Sequence, residues 1–173
     1  SINYVCVSLT PFREYDIISN FYGNQKANRS GVHLMNHIDE GLFILDKIGA
    51  SELAKKAYCL HPILQSDEAL LENYDLLKDV DAKVIICLME YRSVANEYLS
   101  KRKINSIDEI RLSPLKDVND MLIADKIQNK KDFELYHKDT HHRSSELSEY
   151  FDNWLIRLNV SDNFYSECFQ YCH

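Results

Sequence analysis

The chain has 173 residues and a formal net charge of -7, with 45% hydrophobic and 27% charged side chains. That length supports one domain with a sizeable core, and the acidic balance argues against extended nucleic-acid binding, which needs a basic face. No apolar run is long enough to span a bilayer, and the start lacks the basic-then-apolar pattern of a signal peptide, so a cytosolic protein with no membrane partner is expected.

Only 4 Gly and 3 Pro stand against 11 Tyr. Few breakers and long periodic segments predict an all-α fold, a single domain over 1–173. Ser1 to Thr10 reads as a short extended arm, and Pro11 opens a helix to about Tyr22. The polar stretch Gly23 to Gly31 reads as a loop. A helix follows from about Val32 to Ile48, with Leu34, Ile38, Leu42, Leu45 and Ile48 on one stripe, and Gly49 ends it. Ser51 caps a helix that ends near His61, where Pro62 disfavours helical backbone and marks a boundary.

Ser66 to about Tyr74 is a short helix or turn. Asp81 caps a long helix, Ala82 to about Lys101, lined by Val84, Leu88, Tyr91, Ala95 and Leu99. Ser106 and Glu109 form a capping box. Ser113 caps a helix from Pro114 to about Asn129. Two C-terminal helices follow, from Ser144 or Ser145 to about Leu158 and from about Asp162 to Tyr171. The cysteine count is 5, an odd number. Cys59 and Cys87 lie in apolar runs and read as core, and a reducing compartment is the simplest setting. Cys168 and Cys172 are four apart, but no matching pair accompanies them as in a zinc finger.

The segment Leu122-Ile123-Ala124-Asp125-Lys126-Ile127-Gln128-Asn129 puts a carboxylate inside an apolar helical run, with Asn129 on the same face. A buried carboxylate is costly unless it is paired or holds a metal. His37 and His61 are the candidate partners, and two imidazoles with one carboxylate suit a divalent ion such as Mn, Fe or Zn. The competing reading is that Asp125 caps or hydrogen-bonds a neighbouring helix and the histidines are satisfied core residues. His33 shares a face with His37 and is expected to be exposed. Asp39 and Glu40 read as a solvated face. Arg92 either meets a phosphate or pairs within its own helix, near Asn96. Lys101-Arg102-Lys103 reads as a solvated helix end. The run His137 to Arg143, with three histidines, reads as an exposed polar connector, with metal ligation or covering a site as the alternatives. Trp154 reads as core.

In this order the motifs resemble the HD-domain metal-dependent phosphohydrolases, above all the hydrolase domains of the RelA/SpoT-type alarmone enzymes. Asn36-His37-Ile38-Asp39-Glu40 is similar to that family's first-histidine helix. Ala57-Tyr58-Cys59-Leu60-His61 is similar to its helix ending in a His-Asp dyad, and Ile123 to Asn129 to its Leu-Ala-Asp-Arg-Leu-His-Asn motif. The resemblance spans about residues 28–130. It implies an HD-like helical bundle in which His37, His61 and Asp125 hold a metal. Arg29 would meet substrate phosphate, and Asn129 would position a ligand or brace Asp125.

The chain departs from the pattern at Pro62, which stands where the family has the dyad aspartate. Gln65 and Ser66 replace the acidic pair that would orient the attacking water, and Asp67 and Glu68 are the nearest candidates to substitute. Ser30 to His37 and His61-Pro62-Ile63-Leu64 also resemble small HD-related domains that lack the dyad aspartate. The leading expectation is a divergent phosphohydrolase acting on a nucleotide or related phosphoester, with homo-oligomerisation left open. The alternatives are a non-catalytic module that binds a nucleotide or a protein, and an iron-dependent oxygenase.

Overall fold

Side-chain caps start three successive helices where the sequence places them. Ser51 Oγ accepts from the Ala54 amide at 3.0 Å, Ser66 Oγ from Ala69 at 3.0 Å and Asp81 Oδ1 from Lys83 at 2.8 Å. Each satisfies an amide that the first helical turn leaves unpaired. The computed structural model describes residues 12–101 and 103–172. The expected N-terminal arm, Pro11, Cys6 and Arg102 lie outside the described residues.

The described chain is an all-α bundle. Its helices are α1 (Arg13–Tyr22), α2 (Met35–Lys47), α3 (Glu52–Leu60), α4 (Asp67–Asn73), α5 (Ala82–Ser100), α6 (Lys116–Asp132), α7 (Ser144–Arg157) and α8 (Asp162–Cys172). Short 3₁₀ turns cover His61–Leu64, Tyr74–Leu77 and Ile107–Glu109, the last with the predicted capping box. Among the described residues there is no strand; the one extended pairing is a bridge between Lys26 and His33. No described helix is long and apolar enough to cross a membrane.

Three boundaries differ from the periodicity. Helix α2 starts at Met35 rather than Val32, because Val32 and Leu34 pair back onto Ala27 and Gln25 at 2.8 and 2.9 Å. Helix α6 starts at Lys116 rather than Pro114. Ser113 Oγ accepts from the Leu115 amide and donates to Glu90, so it orders the approach rather than capping the helix. His61 keeps helical backbone (φ -58°, ψ -37°) although Pro62 follows it, and the chain runs on into a 3₁₀ turn. Local preference disfavours that conformation before proline. Tertiary bonds hold it: Arg92 Nε donates to the Leu64 carbonyl at 2.8 Å, Asn96 to Gln65 at 2.9 Å and Asn73 to Ile63 at 3.0 Å.

Helix α6 is the axis of the bundle, packed on α2, α3, α5, α7 and α8. Val118, Met121, Leu122, Ala124 and Ile127 join the core, as expected of a helix buried around its circumference. Yet Asp120, Asp125, Lys126, Gln128 and Lys131 are buried with them. Buried charge needs partners, and those partners build the site.

Candidate metal centre

Helices α2, α3 and α6 bring one side chain each to a common point. The Nε2 atoms of His37 and His61 are 3.0 Å apart, and Asp125 Oδ1 lies 3.1 and 3.2 Å from them. His61 and Asp125 are buried and His37 is half-buried. Among the described residues this is the one cluster of three such groups with metal-ligand spacing. Close approach of α3 to α2 depends on Gly41, where a Cβ would overlap the Tyr58 phenol. Tyr58 in turn donates to the His37 carbonyl at 2.9 Å.

Both tautomers follow from the neighbours. The Gln128 amide donates to Glu40 Oε2 at 3.0 Å and to Asp132 Oδ2 at 2.8 Å, which turns its oxygen onto His37 Nδ1. His37 therefore carries its proton on Nδ1. His61 Nδ1 lies 2.5 Å from the Tyr58 carbonyl and carries its proton there. Both Nε2 lone pairs consequently face Asp125 Oδ1 and each other. Three electron-rich atoms at this separation repel unless a cation joins them, and fixing the ligand tautomer from behind is how proteins prepare histidines for metal. Lys131, held by Glu40 at 2.7 Å and Asp132 at 2.6 Å, anchors that outer network.

The electrostatics agree. Burial alone would lower His37, but its hydrogen bond to Asp125 and that group's charge raise it above the ordinary value. Burial lowers His61. Burial pushes the Asp125 carboxyl up, yet Lys126 and the two histidines hold it well below the ordinary carboxylate range. The same carboxylate thus acts on both imidazoles, and burial acts on all three groups. The Tyr91 phenol, its ring 5.0 Å from that of His61, is buried beside the cluster and interacts with Asp125. The three ligand atoms lie close enough together for one ion to reach all of them.

Asp125 uses its other oxygen differently. Oδ2 accepts from Asn129 Nδ2 at 3.2 Å and from Lys126 Nζ at 3.0 Å. Asn129 thus braces Asp125, and it also lines a cleft of about 460 Å³ with Arg29, Asp132, Phe133, His137, His141, Leu147 and Phe151. The cleft wall owes its shape to a π-helical turn, Phe133–His137, that extends α6. Arg29 is exposed there, and His137 Nδ1 is buried without a partner. The loop of three histidines, read as a connector or a cover, contributes His137 and His141 to this wall.

Other candidate residues fall elsewhere. Asp67 is 97% exposed and paired with Arg92, whose guanidinium anchors the Leu64 carbonyl. Asp67, Glu68 and Arg92 are not in the His-His-Asp cluster. His33 is exposed, as expected. Asp39 is exposed and accepts from Tyr15 at 2.7 Å, but Glu40 turns inward to Lys131 and Gln128. Gln128, Lys126, Tyr58 and Tyr91 were absent from the sequence-derived set. The available signal was the placement of Lys126, Gln128 and Lys131 within an otherwise apolar helical run. No protein-family model matches the chain, and no curated protein or solved structure shows significant similarity to it.

Proposed function

We propose that the protein is a divergent metal-dependent phosphohydrolase of HD-like type, acting on a nucleotide or related small phosphoester. The observation that carries this reading is the convergence of two imidazole Nε2 atoms and one carboxylate oxygen, with both Nδ1 atoms and Asp125 Oδ2 held from behind. A divalent ion bound there would supply Lewis acidity and a water of lowered pKa. His37, His61 and Asp125 would hold it. Gln128 and the Tyr58 carbonyl keep the imidazole protons at Nδ1. Asn129 and Lys126 keep Asp125 Oδ2 engaged so that Oδ1 faces the histidines. Arg29, with His141, would bind the substrate's anionic end, while Phe133 and Phe151 offer apolar walls. A reducing, cytosolic setting suits the free cysteines.

A second reading has its own support. No second carboxylate joins the cluster among the described residues, and Pro62 and the Asp67–Arg92 pair occupy the segment where an additional acid would be needed. A module that binds a nucleotide without turnover fits those facts.

The deciding experiment is elemental analysis of protein purified without added metal, beside His61→Ala and Asp125→Ala, followed by a nucleotide and phosphoester panel. Near-stoichiometric Mn, Fe or Zn that both substitutions remove, with phosphate release that they abolish, is the expected result. Metal with ligand-induced stabilisation and no product would favour the binding module. Oxygen consumption confined to Fe(II) would favour an oxygenase. Absence of metal even after reconstitution would overturn the metal centre.

A further inference from the structure

We infer that Lys126 sets the charge of this centre: by pairing with Asp125, the single carboxylate among the three ligands, it leaves a bound dication incompletely compensated and so favours an anion such as phosphate as the ion's further ligand. The inference rests on the metal-centre reading above.

Lys126 is 3% exposed, with Nζ 3.0 Å from Asp125 Oδ2. The ammonium lies over the rings of Tyr150 and Trp154, 5.5 and 5.3 Å from their centroids, with the Tyr150 hydroxyl at 3.4 Å. Packing alone does not call for this residue. An apolar side chain of similar length would fill the aromatic box, but removing Lys126 alone would leave the Asp125 carboxylate buried beside an ion only, without its ammonium. What lysine adds is its charge, placed beside a ligand to the ion.

The balance around the centre is short. Asp125, Glu40 and Asp132 are negative; Lys126 and Lys131 are positive; Gln128, Asn129 and the neutral tautomers of His37 and His61 add nothing. The protein therefore brings one net negative charge to a dication, and the loaded centre keeps one positive charge. Without Lys126 the protein would bring two, and the loaded centre would be neutral. A positive centre in a water-poor interior binds an anion far more strongly than a neutral one. Lys126 thus weakens the hold on the ion itself and strengthens the hold on the ion's anionic ligand, with opposite signs at the two steps.

That opposition is the test. Mn(II) affinity and the affinity of the Mn(II)-loaded protein for inorganic phosphate would be measured by titration calorimetry for wild type, Lys126→Met, Lys126→Gln and Lys126→Arg. Circular dichroism would check that each folds. The neutral variants are expected to bind Mn(II) roughly tenfold tighter and phosphate roughly tenfold weaker, with Lys126→Arg near wild type in both. Neutral variants that bind Mn(II) more weakly, or phosphate unchanged, overturn the inference while leaving the metal centre standing. Failure of both neutral variants to fold beside a folded Lys126→Arg assigns Lys126 to the fold and overturns it as well. Wild type that binds no Mn(II) or other divalent ion removes the metal-centre reading and the inference together.

Discussion

Gln128 has no titratable proton, yet it decides where its neighbour's proton sits. Its NH₂ is claimed by Glu40 and Asp132, so only its oxygen is left for His37. Replacing it with leucine would free the His37 ring to turn and strand two half-buried carboxylates. Gln128→Leu is expected to lower metal affinity by about 10–100-fold, as loss of such outer partners does, read by competition with a chromogenic chelator. The same titration carries a pH signature. Asp125 raises His37 above 6.5 against the lowering effect of burial. A proton at Nε2 therefore competes with the ion until the pH passes that raised value. Affinity should climb as pH rises through it and then level off, and affinity that does not fall on acidification would argue against His37 as a ligand.

At the level of elements, the informative segment is the turn after α3. Pro62 predicts a break, and the local preference is genuine, but the carbonyls of Ile63, Leu64 and Gln65 are captured by Asn73, Arg92 and Asn96. Those bonds keep His61 in helical backbone and so aim its ring at Asp125. Arg92 serves the site through the backbone, a role that no spacing within α5 reveals. Arg92→Met is expected to cost about 1–3 kcal/mol, because the Leu64 carbonyl loses its charged donor. At about 2–4 °C per kcal/mol for a chain of this size, the thermal midpoint should fall by several degrees. Metal affinity should fall with it, since the His61 ring loses its fixed approach; a variant stable as wild type would refute this account.

For the whole molecule, binding at a point where three helices meet should stabilise the native bundle. An ion at a hundredfold excess over its Kd adds about 2.7 kcal/mol, a rise in thermal midpoint of roughly 5–11 °C, which Asp125→Ala should erase in a melting scan. Most of the framework behind that expectation is legible in the sequence. Periodic apolar positions mark the helices, and Ser51, Asp81, Ser106 and Glu109 mark their starts, because caps and stripes are local effects. His37, His61 and Asp125 stand out as polar groups in apolar surroundings. The outer network does not, since Gln128 meets Glu40 only across 88 residues of chain. The π-helical turn leaves no local mark either, and Glu40 reads as solvated until α6 supplies Lys131.

The position of Trp154 has a practical consequence. It is the chain's only tryptophan, fully buried, with the Lys126 ammonium against its ring. Indole emission shifts with nearby charge, so a change at Asp125 should reach the fluorophore through one side chain. The unlabelled protein thus carries an intrinsic optical reporter for the proposed ion binding, which would let loading and exchange be followed in a stopped-flow cell.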